Sequence, residues 1–220
     1  MRSVRDIETA NVLKGLGVEK EIEVTGDPAC LLREEETKEI FPSRKSLGFN
    51  LAYHSWLGFG HYKNQILNSY SQTMAYFSHN GYKIYYLLHH SLERNIVPEL
   101  SFKDYEIIDL LPRQQKRFYA GLEAIVTMML HCGILAFGAN TPFLNLAYDQ
   151  KNLSFAQLIG CPEIAIKPDG ISPSLLIGKL EQLLRDKSRY KKIFQREIEK
   201  FKENHNQFVN KIKSMITGSR

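Results

Sequence analysis

A doubly wound parallel α/β sheet is what this sequence predicts, and three observations predict it. Short, mainly apolar runs at 83–88, 124–128 and 143–147 have the look of strands buried inside a sheet. They alternate with stretches of helical character, at 63–78, 113–120 and 132–138. The joints between them are short and carry glycine or proline, as at Asn80-Gly81, Gly138-Ala139-Asn140 and Pro142.

Taken in order, Asp6 is the expected N-cap of a first helix. Ile7, Ala10, Leu13 and Leu16 form its apolar stripe, and Gly17 ends it. Glu21 to Thr25 reads as a strand turning at Gly26-Asp27-Pro28, and the charged stretch Arg33 to Lys38 as a short surface helix and loop. Leu47 to Tyr53 is the next strand. A loop from His54 to His61, with the single Trp56, leads into the helix at 63–78. Lys83 to Leu88 and Tyr105 to Ile108 are strands, and Arg113 to Ala120 is a helix. Beyond Ile166 the pattern turns helical: Ser172-Pro173 opens one helix to about Asp186, and a long charged one follows from about Ser188 to Met215. The expected division is a Rossmann-like domain over 1–170 and a C-terminal helical extension over 171–220.

Composition excludes several classes. At 43% hydrophobic and 24% charged residues, the sequence is that of an ordinary globular protein. No apolar run is long enough to span a bilayer, and residues 1–20 lack the apolar core of a signal peptide. Cys30, Cys132 and Cys161 are scattered, which suits reduced thiols in a cytoplasmic protein rather than a disulfide frame or zinc site. The net charge of +5 gathers in the last helix beside Glu197, Glu199 and Glu203, so a solvated face explains it without nucleic acid. His89-His90 cannot chelate from a regular strand, where neighbours point to opposite faces. Gly58-Phe59-Gly60 lacks the rest of a dinucleotide fingerprint. No metal and no cofactor are implied.

The stretch from Leu122 to Phe155 organises the chain. His131 stands where the strand at 124–128 passes into a small-residue helix, and Tyr148, Asp149 and Lys151 form the loop after the strand at 143–147. In a parallel sheet such turns collect along one edge, where ligands bind. His131 and the Tyr148–Lys151 loop are therefore expected to face one crevice.

This stretch resembles the polysaccharide pyruvyltransferases. The family pattern is a strand, R-L-H, a small-residue helix, proline, a strand, then Y-D-x-K. Val4-Arg5-Asp6, Val24-Thr25-Gly26-Asp27-Pro28 and the "G-x-N" strand Leu47-Gly48-Phe49-Asn50-Leu51 match upstream, in the right order and spacing. The resemblance covers roughly residues 2–165 and corresponds to the C-terminal half of a family member, a Rossmann-like half of a GT-B-type fold. Met129 departs from it, standing where the family carries the motif arginine.

For His131 the resemblance implies a general acid/base; locally, a histidine in a helix cap fits as well. Arg5 would hold a phosphate with its planar fork, against the alternative of a surface arginine, while Asp6 reads as the helix cap. Lys151 offers a point charge to an anion, with Tyr148 beside it; the same loop also reads as a polar joint with Asn152 capping the next helix. Asn50 would hydrogen-bond the sugar, or else satisfy backbone at a strand end.

The resemblance implies transfer of pyruvate from phosphoenolpyruvate to a sugar or carrier-linked oligosaccharide, giving a pyruvate ketal and phosphate, in the cytoplasm or peripherally at the membrane. The chain is expected to need an N-terminal half, in the same protein or from a partner chain. The alternative is a degenerate, non-catalytic half that binds a sugar nucleotide or a partner enzyme.

Overall fold

In a computed structural model of the chain, the residues described are 2–34, 41–43, 45–52 and 59–217, with Phe59 described by its backbone alone. Most of the charged stretch 33–38 and the loop carrying Trp56 lie outside them.

The core is a six-stranded, all-parallel sheet. Its strands are β3 (Ser46–Phe49), β4 (Lys83–Leu88), β5 (Glu106–Asp109), β6 (Ala124–Thr127), β7 (Phe143–Leu146) and β8 (Ala165–Ile166), in the order β5-β4-β3-β6-β7-β8. Every residue of β3, β6 and β7 is buried, which is why they read as continuous apolar runs rather than alternating ones. Alternation survives in where side chains go. On β4, Tyr85 meets Phe118 edge-on, with ring centroids 5.0 Å apart, while Tyr86 is buried on the side of Tyr70. The order reverses between β3 and β6, the switch point of a Rossmann-like sheet.

Crossovers on either side of that point place helices on both faces. α2 (Phe59–His79) packs on α6 (Pro173–Arg185), which also rests on β6 and β7. α3 (Pro112–Ala120) leads from the edge strand β5 across to β6, and α4 (Leu130–Gly138) and α5 (Gln150–Leu158) cross between the strands of the other half. The long α7 (Lys187–Thr217) drives Phe194 and Phe201 against Phe137 of α4, at 5.3 and 5.6 Å between centroids. The segment expected as a helical extension thus supplies Leu176, Leu180, Leu183, Tyr190 and Phe194 to the same core as the sheet.

Ahead of the sheet stands a small β-α-β unit. β1 (Arg2–Val4) and β2 (Ile22–Val24) pair in parallel around α1 (Ile7–Gly15), whose N-cap is Asp6, bonded to Thr9 N at 2.8 Å. A 3-10 turn, Pro28–Leu31, then ties this unit to the sheet domain. Lys116 of α3 donates to the carbonyls of Cys30 and Leu32 at 2.9 and 2.7 Å. β1 and β8 are absent from the sequence-based expectation. Both are too short, and β1 too exposed, to leave an apolar run.

Candidate functional site

The switch point is held by one side chain. Asn50, the first residue after β3, is fully buried and uses all four of its hydrogen-bonding positions. Its Nδ2 donates to Leu87 O at 2.9 Å and to Glu93 Oε2 at 3.0 Å. Its Oδ1 accepts from Thr127 Oγ1 at 3.0 Å and from Met129 N at 3.1 Å. No donor or acceptor is left for a sugar. Of the two readings of Asn50 in the sequence, the geometry fits the structural one and corrects the substrate-contact one.

Met129 is the N-cap of α4, with no side-chain cap bond, and His131 lies exposed in the helix's first turn. Both line a cavity of about 480 Å³ at the ends of β4, β5 and β6, together with His89, His90, Leu110 and Leu135. Among the described residues lining it there is no lysine or arginine. His89 forms part of its wall. Burial, then the nearby His131, pushes the His89 imidazole down to about 3. It is therefore neutral, and it shares a hydrogen bond with the Tyr119 hydroxyl. Tyr119 in turn lies 3.6 Å from Cys132 Sγ on α4, whose thiol burial pushes up to about 12.

Arg5 and Lys151 meet elsewhere. They line a second cavity, of about 330 Å³, between α1 and α5. Arg5 is one-third exposed and faces two carboxylates, Asp6 at 3.5 Å and Asp27 at 3.7 Å. Lys151 Nζ sits 3.5 Å from Asp149 and over the Tyr148 ring, 5.5 Å from its centroid. Burial, then Asp149 and Glu93, raise the Tyr148 hydroxyl's pKa. His131 and Lys151 thus line different cavities, correcting the expectation of one crevice. The two lips remain tied, because Asn152 Nδ2 of α5 donates to Met128 O at 3.2 Å.

That bond also corrects the capping role expected of Asn152. Asp149 is the N-cap of α5, bonded to Lys151 N at 3.1 Å, while Asn152 is buried one turn later against Asn145. Glu93 is the residue that sequence reasoning missed; His89 was considered there only as a metal ligand on a strand, whereas β4 ends at Leu88 and His89 and His90 line the same cavity. Glu93 follows β4 in a charged Ser-Leu-Glu-Arg-Asn segment that reads as surface, and only its 0% exposure reveals it. Among the described residues, no group of three or more acidic, histidine or cysteine side chains could hold a metal ion, and no helix is long and apolar enough to cross a membrane.

The sequence model of one family, polysaccharide pyruvyl transferase, matches residues 1–150, from β1 to the first residue of α5. The chain belongs to this family. Among curated proteins, none matches it. Solved structures share its fold at low identity. A putative UDP-N-acetylglucosamine 2-epimerase from Listeria monocytogenes superposes with a TM-score of 0.63 at 15% identity, over 97% of this chain and 59% of its own. The S. aureus MnaA–UDP structure gives 0.61 at 15% identity, over 86% and 52%. The calicheamicin glycosyltransferase CalG4 gives 0.59 at 13% identity, over 90% and 48%. The chain spans about half the length of these structures, and its fold is that of one half of a GT-B-type protein.

Proposed function

We propose that this pyruvyl transferase family member provides the phosphoenolpyruvate-binding half of an enzyme that forms pyruvate ketals on a sugar of a polysaccharide precursor. The observation that carries the reading is the meeting of Arg5 and Lys151, far apart in sequence, in one cavity. A guanidinium and an ammonium lining one concave surface, beside Asp6 and Glu8, suit a small multiply charged anion that displaces their carboxylate partners. In this reading Arg5 exchanges its 3.5–3.7 Å contacts with Asp6 and Asp27 for the phosphate. Lys151 faces the second negative group, with Tyr148 at its side.

Pyruvyl transfer converts phosphoenolpyruvate and two sugar hydroxyls into a ketal and phosphate. A proton adds to the methylene carbon, and one hydroxyl oxygen bonds to C2. The C2–O bond to phosphate then breaks, and the second hydroxyl closes the ketal. One hydroxyl proton ends on the new methyl group and the other leaves with phosphate. His131, exposed at the start of α4, is the proposed proton carrier. A facing domain brings the acceptor and excludes water.

Calorimetric titration of phosphoenolpyruvate tests this. Binding by the parent, weakened at least about tenfold by Arg5→Ala and by Lys151→Ala but little by His131→Ala, is expected. Failure of the parent to bind, alone and mixed with a family N-terminal half, overturns it. A second reading, a degenerate half that binds without catalysing, is favoured by Met129, which places an uncharged side chain beside His131.

A further inference from the structure

Behind the His131 cavity lies a carboxyl group that the proposed reaction does not use. Glu93 sits in the 3-10 turn Ser91–Asn95 after β4 and has 0% exposure. Its Oε2 accepts from the His89 amide at 2.8 Å and from Asn50 Nδ2 at 3.0 Å. Its Oε1 is buried and has no hydrogen-bond partner among the described residues.

From this carboxyl two chains of contacts run to the same helix. One passes through Asn50, whose Oδ1 takes the amide of Met129 at the start of α4. The other passes through the His89 residue to the Tyr119 hydroxyl and Cys132 on α4's first turn. His131 lies between the two attachment points, Met129 and Cys132. We propose that Glu93 is a positioning residue for His131, gripping α4 through Asn50 and His89 with a strength set by its own protonation state.

The physics has a definite direction. Burial, opposed by the His89 and His90 amides and Asn50, raises the Glu93 carboxyl to about 7. On ionisation, its bonds from His89 N–H and Asn50 Nδ2–H become charge-assisted and tighten. A polarised Asn50 amide then accepts more strongly from Met129 N–H. The titratable groups around Glu93 are Tyr86 of β4, His89 and His90 after it, Asp109 of β5, Tyr119 of α3, Cys132 of α4 and Tyr148 after β7. Tyr86, Tyr119 and Tyr148 are all raised by burial, Cys132 to about 12, and His89 is held at about 3. None of these five titrates near neutrality in a way that could imitate Glu93.

The role given to His131 rests on the proposed function, but the test does not. Amide resonances of the whole chain are followed by NMR from pH 5.5 to 8.5 without phosphoenolpyruvate. The amides of His89 and Met129 and the side-chain amide of Asn50 are expected to shift downfield together, with one inflection near pH 7. The inflection persists in His90→Asn and His131→Ala and disappears in Glu93→Gln, which keeps both accepted bonds. Glu93→Ala displaces the Met129 and His131 amide resonances, and Glu93→Gln returns them to the parent's low-pH positions. A parent with no shared inflection, or one that survives in Glu93→Gln, overturns the proposal.

Discussion

The last residue of α4 leaves no room for a side chain: a Cβ on Gly138 would stand 2.2 Å from the carbonyl oxygen of Cys30. This close approach fastens the 3-10 turn, and with it the β1-α1-β2 unit, to the helix that carries His131. A methyl group there collides with backbone, which cannot swing aside as a flexible side chain can. Gly138→Ala is expected to cost about 3 kcal/mol, the upper part of the range for overpacking, read as a shift in the urea midpoint. Gly178→Ala, in α6 with nothing within 4 Å of its Cβ, is the control. It should stabilise by about 0.5–1 kcal/mol.

Asn50 makes a second, sharper prediction. Asn50→Ala takes the side-chain acceptor from the Met129 amide and the side-chain donor from the Leu87 carbonyl, and leaves the Thr127 hydroxyl with Met129 O and the Glu93 carboxylate with the His89 amide. A loss of about 3 kcal/mol is expected in equilibrium unfolding. Asn50→Asp keeps the shape but turns an oxygen toward Leu87 O and Glu93 Oε2. Its deficit should be larger at pH 8 than at pH 5.5, where protons relieve the repulsion. Equal deficits at the two pH values would show that shape, not charge, governs this junction.

The contrast between these two residues shows how much the sequence disclosed. Strands at 83–88, 124–128 and 143–147 were legible because parallel strands buried on both faces are runs of apolar residues, and their joints carry glycine or proline. β1 was not: Arg2 and Ser3 are exposed, and the strand exists only through its long-range pairing with β2. At the site, Arg5, Tyr148, Lys151 and His131 were visible as charged or polar residues at the ends of elements. What each one faces was not. Asn50 draws its four partners from two stretches far from it in sequence, 87–93 and 127–129, and Glu93 looks like any surface acid until packing closes over it. Asp149 and Asn152 are equally good caps by residue type; tertiary contacts alone send Asn152 inward.

His89 and Glu93 pull stability in opposite directions as pH changes. The folded His89 value of about 3 lies below its ordinary 6.5, so its contribution is complete above pH 6.5 and is lost as pH falls toward 3. The folded Glu93 value of about 7 lies above its ordinary 4.5, so its contribution is complete below pH 4.5 and is lost as pH rises to 7. Subtracting the unfolding free energies of His89→Gln from those of the parent should give a difference that falls by on the order of 4 kcal/mol on acidification. With Glu93→Gln the difference should instead fall as pH rises from 4.5 to 7. A flat curve for either variant removes that residue from the account.

Met129 decides between the two readings of the site. It lines the His131 cavity, where none of the described lining residues is a lysine or arginine, while Arg5 and Lys151 line a second one. An arginine at position 129 would project a planar cation from the N-cap of α4, whose amide Asn50 already fixes. If the site is a donor site short of one contact, Met129→Arg adds a charge-assisted pair worth about 1.5–3 kcal/mol. Phosphoenolpyruvate affinity then rises roughly ten- to a hundredfold in calorimetry. The gain should depend on Arg5: in the Arg5→Ala background, Met129→Arg alone should not restore parental affinity. A degenerate half predicts otherwise, with no gain at position 129 and no dependence on Arg5. Met129 is half-buried against the core as well as lining the cavity, so the unfolding midpoint of Met129→Arg is measured beside its affinity, and a change in affinity without a change in midpoint is a property of the site.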